Sequence, residues 1–198
     1  TDMNQPLGRT AGNALEMQEV LDFFTGAERE PRLWGVTRAL AIEMLVIAGL
    51  ARHESDAAAR VDAALSGGHA AERFARMVAL AGGPADVFSR SCKLPQAPVM
   101  LEIKVHTDGW VQSIDTLALG QVVVALGGGR TQPGAAIDAS VGLSSLPSLG
   151  QHVHHNDTLL IIHAASAEAA QQAQTEISAA IRIGPAAKAQ PLIAARLV

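Results

Sequence analysis

Histidines near the C-terminal end of the chain are the first residues whose types and spacing could do chemistry. His152, His154 and His155 form a cluster, and His163 lies on the strand that is predicted next. Imidazole nitrogens bind zinc at about 2.0–2.1 Å, but a zinc site needs ligands that converge from several positions. Because neither an H-E-x-x-H motif nor a pair of cysteines accompanies the cluster, we interpret it as an exposed loop, with a metal site as the alternative.

A run of three glycines followed by arginine is the second feature of this kind. Consecutive backbone N–H groups at Gly127–Gly129, together with Arg130, could surround an anion such as phosphate. Phosphate loops usually lead into the N-terminus of a helix, however, whereas these glycines follow a predicted helix. We therefore interpret the run as a helix stop that turns the chain back, and an anion site remains the alternative.

Carboxylates that could act as general acids or bases are dispersed along the second half of the chain. Their spacing does not place two of them at the separation that an acid/base pair requires. No G-x-S-x-G motif distinguishes one serine from the others either. The residues alone therefore predict no complete active site. The carboxylates considered are Glu102, Asp115, Asp138 and Asp157.

The charge balance argues against two large classes of partner. The 198 residues include 15 Lys and Arg against 19 Asp and Glu, which gives a formal net charge of -4. Such a chain has no excess of positive charge to neutralise a nucleic acid or an anionic lipid surface. The longest apolar stretch, residues 39–51, is interrupted by Glu43 and is shorter than the roughly 20 residues that cross a bilayer. We therefore predict neither nucleic acid nor membrane as a partner.

A single cysteine, Cys92, excludes an internal disulfide and any cysteine-cluster metal site. One unused thiol suits a reducing compartment, so we expect a cytoplasmic protein. The chain opens at Thr1 without an initiating Met, a basic segment or an apolar segment, so a signal peptide is not predicted. This abrupt opening leads us to expect a fragment of a longer protein.

The first third of the chain predicts a layer of four helices, because apolar residues recur at helical spacing and each pattern stops at glycine. The helices start at Asn13, after Pro31, at Ser55 as an N-cap, and at His69. Between residues 85 and 98 the periodicity is lost, which indicates a linker. We therefore predict a helical domain at 1–90 and a second domain at 91–198.

The second half of the chain predicts mixed α and β structure. Alternation over residues 99–105, a turn at 107–109 and an apolar run to Ile114 are typical of a β-hairpin. The remaining patterns are strands at 136–141 and 158–163 and helices at 117–126 and 167–182. The predicted fold class is therefore α/β of the α+β kind, with a helical layer followed by a mixed α/β part.

Several motifs of this chain resemble those of thymidine phosphorylase and the related pyrimidine-nucleoside phosphorylases. The resemblance begins with the opening T-D-M-N-Q-P-L-G and the A-G-N-A-L-E that follows it, and it fades after His163. The other matching segments are residues 70–79, G-W-V at 109–111, D-T at 115–116, A-L-G at 118–120, G-G-G-R at 127–130 and I-D-A-S-V-G at 137–142.

The resemblance implies a homodimeric enzyme in which a helical domain binds the pyrimidine and a larger α/β domain binds phosphate. Such an enzyme converts thymidine and phosphate reversibly into thymine and 2-deoxy-α-D-ribose 1-phosphate. By the same resemblance this chain corresponds to the C-terminal half, and residues 1–90 correspond to the helical part of the phosphate-side domain. The catalytic and substrate-binding residues are then expected upstream of Thr1, so we assign none here and expect the chain alone to be inactive.

The resemblance also implies a site for a monovalent cation such as K+. In some pyrimidine-nucleoside phosphorylases two backbone carbonyls and a Glu hold this cation, at positions that match Leu7, Thr10 and Glu19. Oxygen donors of this kind suit a hard cation. Thr10 departs from the usual alanine, and the alternative is a capped helix start with Glu19 in solvent. No other cofactor is expected, and phosphate is the co-substrate.

The segment from Val99 to His163 resembles the C-terminal subdomain of the same family, whose strands form a sandwich of the lipoyl or biotinyl type. The carrier lysine that biotin or lipoate would need is absent between Ser140 and His163, so the resemblance is one of architecture. Two alternatives stay open: a stand-alone binding or scaffold module, and a phosphorylase for uridine or a nucleoside monophosphate.

Overall fold

The structure, a computed structural model, describes most of the chain. The predicted domain boundary between residues 90 and 91 falls outside the described ranges, as does Cys92. The division into domains at 1–90 and 91–198 therefore stays a prediction. The described ranges are residues 1–89, 94–187 and 190–196.

The chain divides into two compact units. Val20–Lys93 form the first, which we call the helical unit. Thr1–Glu19 and Leu94–Val198 form the second, which we call the mixed unit. The first 19 residues thus pack with the second half of the chain, because backbone hydrogen bonds tie this segment to a strand that lies far along the sequence.

The apolar patterns in the first third of the chain each form a helix, as predicted. These helices are α1 Asn13–Thr25, α2 Pro31–Ile47, α3 Glu54–Ser66 and α4 His69–Leu80. Pro31 suits the first position of α2, because a backbone N–H there would have no partner within the helix and proline has none. Glu30 caps this helix by accepting from the backbone N–H of Leu33 at 2.6 Å. Gly26 and Gly49 follow α1 and α2 with φ values of 77° and 67°, which is the conformation expected at helix ends.

Helices α2 and α3 are joined by apolar packing and by one ion pair. Ile42 and Ala57 are buried in a small cluster. Arg38 and Asp62 form a bidentate pair with nitrogen–oxygen distances of 2.7 and 2.8 Å. Because both charged side chains are partly exposed, the apolar packing contributes more than the ion pair to holding the two helices together.

The predicted N-cap of α3 is wrong. Ser55 lies inside the helix, which begins at Glu54. The cap is His53, whose Nδ1 atom accepts from the backbone N–H of Asp56 at 3.2 Å, and the Ser55 hydroxyl lies 2.9 Å from the same nitrogen. A histidine can replace serine as a cap because the ring nitrogen satisfies a backbone N–H that has no partner within the helix.

The mixed unit contains two three-stranded antiparallel sheets. Their strands are β1 Val99–Lys104, β2 Gly109–Ile114, β3 Gly142–Ser144, β4 His152–Val153, β5 Thr158–Ala164 and β6 Ile181–Gly184. Strand β5 lies between β1 and β3 in the first sheet, and β2 lies between β4 and β6 in the second. The hairpin predicted between β1 and β2 is therefore wrong, since the turn between them connects two different sheets.

The core of the mixed unit combines strand and helix side chains. The helices of this unit after residue 94 are α5 Thr116–Val123 and α6 Ala167–Ala180. Leu160 and Ile162 of β5, Val122 of α5 and Ile177 of α6 are all 0% exposed and belong to one apolar cluster. Each such side chain contributes about 1.5–3 kcal/mol by leaving water, so this cluster is the main source of stability in the unit.

Two other predicted elements differ from the structure. The pattern at 136–141 is not a strand, because Asp138 accepts hydrogen bonds from the hydroxyl and the backbone N–H of Ser140 and so holds a turn. The helix predicted over 167–182 is too long, because Ile181 begins β6 and pairs with β2. The helical pattern is local, whereas the pairing is a long-range interaction that overrides it.

The predicted α+β fold class is confirmed, because the described residues form six α-helices and two small antiparallel sheets. The resemblance of these sheets to a lipoyl or biotinyl sandwich stays a prediction. In the described ranges, no helix combines the length and the apolar character that a bilayer crossing demands.

The N-terminal segment joins the mixed unit by backbone pairing. Ala11 and Leu143 exchange two hydrogen bonds, with nitrogen–oxygen distances of 2.9 and 2.7 Å. Gly12 and Gly142 lie beside this bridge with φ values of +137° and +150°, and a Cβ on Gly142 would overlap the carbonyl oxygen of Ala11. Glycine is needed at both positions because the two backbones cross too closely for a side chain.

We predict that Gly142→Ala lowers the free energy of unfolding by about 2 kcal/mol or more, because a methyl group would overlap the backbone of the N-terminal segment. Gly120→Ala in α5 is the matched control. Apart from its two chain neighbours and the backbone of its own helix, no atom of the described residues lies within 4 Å of the position its Cβ would take, so alanine should raise the free energy of unfolding by about 0.5–1 kcal/mol. Urea unfolding followed by circular dichroism measures both, and equal stabilities would contradict the close crossing.

Candidate functional site

Glu19 on α1 closes the loop of residues 7–10 onto the helix. Its Oε1 atom accepts from the backbone N–H of Arg9 at 2.7 Å, and its Oε2 atom accepts from the hydroxyl of Thr10 at 2.5 Å. A Cβ on Gly8 would lie 2.5 Å from both carboxylate oxygens, so a side chain at this position would displace the Glu19 carboxylate from the loop. The loop therefore wraps around the carboxylate, and Glu19 is a structural part of it.

The loop also contains the two backbone carbonyls that the sequence resemblance implied as cation ligands. No hydrogen bond between described residues uses the carbonyl oxygen of Leu7 or of Thr10. Each carboxylate oxygen of Glu19 can accept more than one bond. These oxygen donors suit a hard cation such as K+ better than a soft metal. The residues thus fit the ion chemically, and the site itself stays a prediction.

The glycine run ends a helix, as interpreted from the sequence. After α5 the chain makes one wide helical turn at Val124–Gly128, within which Gly127 has a φ of 102°. The Gly127 carbonyl accepts from the backbone N–H of Asp138 at 2.9 Å. Arg130 donates from Nε to the carbonyl of Ala135 at 3.3 Å. The glycine run thus lets the chain turn after α5, and the side chain of Arg130 is bonded to the backbone of the loop that follows.

Two of the dispersed carboxylates hold backbone turns. Asp115 caps α5 by accepting from the backbone N–H of Ala118 at 3.0 Å. The hydrogen bonds from the hydroxyl and the backbone N–H of Ser140 lower the pKa of Asp138. Both carboxylates therefore serve as hydrogen-bond acceptors for nearby backbone N–H groups.

The other two carboxylates are used in a similar way on the surface of the first sheet and in the turn before β5. Glu102 forms an ion pair with Lys104 and accepts from the hydroxyl of Thr158, and these contacts lower the pKa of Glu102. Asp157 accepts from the backbone N–H of His154 at 2.8 Å. A carboxylate with a lowered pKa is a poor general acid at neutral pH, so Glu102 does not suit acid catalysis.

The structure keeps His152 and His154 close together and places His163 in the other sheet. His152 and His154 lie exposed at β4 in the second sheet, whereas His163 is buried in β5 of the first. The ring of His155 is turned toward the backbone, with Nδ1 2.9 Å from the carbonyl oxygen of His106. Within residues 1–89, 94–187 and 190–196, no group of three or more His, Cys, Asp or Glu residues is arranged to hold a metal ion.

His163 and Ser144 form a hydrogen-bonded pair that the sequence analysis missed. The Nε2 atom of His163 lies 2.8 Å from the hydroxyl oxygen of Ser144. Gly142 stands opposite His163 in the register of β3 and β5, so no side chain occupies that position. The two residues are 19 positions apart in the sequence, and the pairing of β3 with β5 brings them together.

The imidazole of His163 is a buried group with an altered pKa. Its residue is 9% exposed, and burial lowers the pKa of the ring. In the part of the chain that the structure describes, no carboxylate hydrogen-bonds to this ring. The pair can pass a proton between hydroxyl and ring, but a Ser-His-Asp arrangement is not formed.

A small cleft lies between α5 and α6. Its volume is about 40 Å³, and its lining includes Val122, Ala173 and Glu176. Pockets for small-molecule ligands measure about 300–1,000 Å³. The cleft is therefore large enough for water but too small for a nucleoside.

We expect the free energy of unfolding to fall as the pH drops below 6.5, in part because of His163. Burial lowers the folded-state pKa of this ring, so the unfolded chain binds the proton more readily. The contribution of neutral His163 is full above the unfolded pKa and is lost as the pH falls through the folded pKa.

His163→Gln tests this expectation because it removes the titrating ring and keeps a polar group near the position of Nε2. Chemical unfolding between about pH 8 and pH 5 should give a shallower pH dependence for the variant than for the parent. The six other histidines are shared by both proteins, so the difference in slope isolates His163. Identical slopes would show that burial does not alter its titration.

A comparison with protein families finds a match in the second half of the chain. Residues 110–184 match the family model described as the pyrimidine nucleoside phosphorylase C-terminal domain. The match runs from Trp110 in β2 to Gly184 at the end of β6, beyond the point where the motif resemblance faded. The α+β architecture and the sequence motifs agree with this match. Residues 110–184 are therefore similar to the C-terminal domain of pyrimidine nucleoside phosphorylases.

Proposed function

We propose that this chain is part of a thymidine phosphorylase, which transfers the deoxyribosyl group of thymidine to phosphate. The observation that carries the proposal is the match of residues 110–184 to the C-terminal domain of pyrimidine nucleoside phosphorylases. The narrower assignment to thymidine is supported by the opening motif T-D-M-N-Q-P-L-G, which resembles thymidine phosphorylase. The products would be thymine and 2-deoxy-α-D-ribose 1-phosphate.

In the proposed reaction, a phosphate oxygen forms a bond to the anomeric carbon while the bond from this carbon to the pyrimidine nitrogen breaks. The electron pair of the broken bond leaves with the base, which then takes up a proton. Catalysis of such a reaction depends on positioning the two substrates and on cationic donors that stabilise the departing anion.

We propose that this chain alone does not catalyse the reaction. The four carboxylates considered above accept hydrogen bonds in turns, caps and sheet surfaces, and the arginine after the glycine run donates to a backbone carbonyl. The groups that bind phosphate and the pyrimidine would belong to polypeptide that precedes Thr1 in the full enzyme. That enzyme would be a cytoplasmic homodimer acting in nucleoside salvage.

We further propose that the carbonyls of Leu7 and Thr10 and the carboxylate of Glu19 help to hold K+ in the full enzyme. The hydrogen bonds from Arg9 and Thr10 to the carboxylate support this proposal, because they keep Glu19 beside the loop in the absence of an ion. The ion would stabilise the loop by charge and would take no part in bond making or breaking.

Thymine release from thymidine and phosphate tests the proposed activity. The chain alone should release no thymine above the buffer control. A mixture of the chain with the upstream half of a pyrimidine nucleoside phosphorylase should release thymine at a rate that rises with phosphate, because the substrate-binding groups are then present. Each half by itself is the control for the mixture.

The outcomes of this assay separate the alternatives. Phosphate-dependent release by the chain alone would contradict the proposed inactivity. A stable complex of the two halves without phosphorolysis would favour a scaffold role instead. Faster cleavage of uridine or of a nucleoside monophosphate than of thymidine would retain the phosphorylase assignment but reject thymidine as the substrate.

The cation proposal predicts a salt-specific effect on stability. In KCl the free energy of unfolding should exceed that in tetramethylammonium chloride of equal ionic strength by about 1 kcal/mol, because K+ binds the folded loop and not the unfolded chain. Glu19→Gln should abolish the difference between the two salts. Glu28→Gln, at an exposed position after the end of α1, should retain it. Equal stability of the parent protein in both salts would contradict K+ binding by this chain.

A further inference from the structure

Three rings form a row on the exposed side of the second sheet. Trp110 stands directly opposite His152 in the register of β2 and β4. The ring centroids of Trp110 and His152 are 4.7 Å apart, and those of His152 and His154 are 4.6 Å apart. The two imidazole planes meet at 69°, so they are arranged edge to face rather than stacked.

His154 directly follows β4, and the alternation of this extended backbone explains why the two imidazoles share one side. His152 and His154 are exposed, and Val153 between them is 2% exposed and belongs to the apolar core. Side chains two residues apart on a strand point to the same face. Burial of the valine therefore fixes both histidines on the outer surface.

The backbone that carries these histidines is held in place independently of their rings. Asp157 accepts from the backbone N–H of His154 at 2.8 Å, and its own N–H donates to the His154 carbonyl at 3.0 Å. On the other side, Val111 donates its backbone N–H to the carbonyl of Gln151 at 2.9 Å. The backbone of the two histidines is thus held by contacts that do not involve their ring nitrogens.

We propose that His152 and His154 chelate a borderline divalent metal ion, such as Zn²⁺ or Cu²⁺. Two imidazoles that bind one ion at about 2.0–2.1 Å, with an angle of about 90–110° at the metal, have ring centres about 4.5–5 Å apart. The observed 4.6 Å lies within this range. Small rotations of the two side chains are therefore sufficient to direct one nitrogen of each ring at a shared ion.

The donor set decides which ion the pair would take. Neutral imidazole suits Zn²⁺, Cu²⁺ and Ni²⁺, whereas Ca²⁺ and Mg²⁺ prefer oxygen ligands. Because no group of three or more metal-binding side chains exists among the described residues, water or an external donor would occupy the other positions of the ion. This inference goes beyond the proposed phosphorolysis and does not depend on it.

Trp110 provides the means to observe binding at this pair. The chain contains two tryptophans, and Trp34→Phe leaves Trp110 as the single indole. Trp34 packs against Phe23 in the helical unit, with ring centroids 5.9 Å apart, so phenylalanine keeps an aromatic ring in that position. Cu²⁺ bound by His152 would lie close to Trp110 and quench its fluorescence.

The experiment is a Cu²⁺ titration of the untagged Trp34→Phe chain, followed by the fluorescence of Trp110. Quenching should saturate at one ion per chain. In the same background, His152→Ala and His154→Ala should each raise the midpoint of the titration by about tenfold or more, because a chelate loses its second, intramolecular ligand. Calorimetric titration with ZnCl₂ should show the same order of affinities without relying on fluorescence.

His106→Ala is the matched control, since it removes an exposed imidazole from a neighbouring loop and leaves the backbone carbonyl that contacts His155. Its midpoint should stay within about twofold of the parent. Circular dichroism and thermal unfolding verify that each variant is folded. Quenching that does not saturate, an unchanged midpoint in either His152→Ala or His154→Ala, or an equal loss in His106→Ala would overturn the proposal.

Discussion

Burial of one face of β5 is the constraint on which the mixed unit depends. Leu160 and Ile162 are fully buried, and side chains alternate along a strand, so Ile161 and His163 must face the other side of the sheet. The strand pairs with neighbours on both edges, which fixes its register. The contact between His163 and Ser144 is thus a consequence of core packing. The same packing buries the imidazole of His163 and so lowers its pKa.

The N-terminal segment depends on the same sheet. Its bridge from Ala11 to Leu143 extends the sheet beyond β3 and requires glycine where the two backbones cross. Helix α1 starts at Asn13, two residues after this bridge, and Glu19 on that helix accepts two hydrogen bonds from the preceding loop. The backbone bridge and the Glu19 carboxylate together hold this loop in place.

The charged and polar groups of the chain divide into two kinds. Carboxylates such as Asp115 and Asp138 satisfy backbone N–H groups, so their negative charge serves local structure. The imidazoles of His152 and His154 differ, because their backbone is held by Asp157 and their rings remain exposed. A binding capacity on this edge can therefore exist without any contribution to phosphorolysis.

The sequence by itself determined the helices α1, α2 and α4 and the resemblance to pyrimidine nucleoside phosphorylases, because helical periodicity, caps and motifs are local properties. The cation site at the carbonyls of Leu7 and Thr10 and the carboxylate of Glu19 is implied only by that resemblance and stays a prediction. Tertiary structure alone decided that β1 pairs with β5 rather than with β2, that Ile181 leaves the helix for a strand, and that Ser144 meets His163. The physical reason is that a strand obtains its hydrogen bonds and its buried face from distant segments, so its partner depends on how the whole core packs.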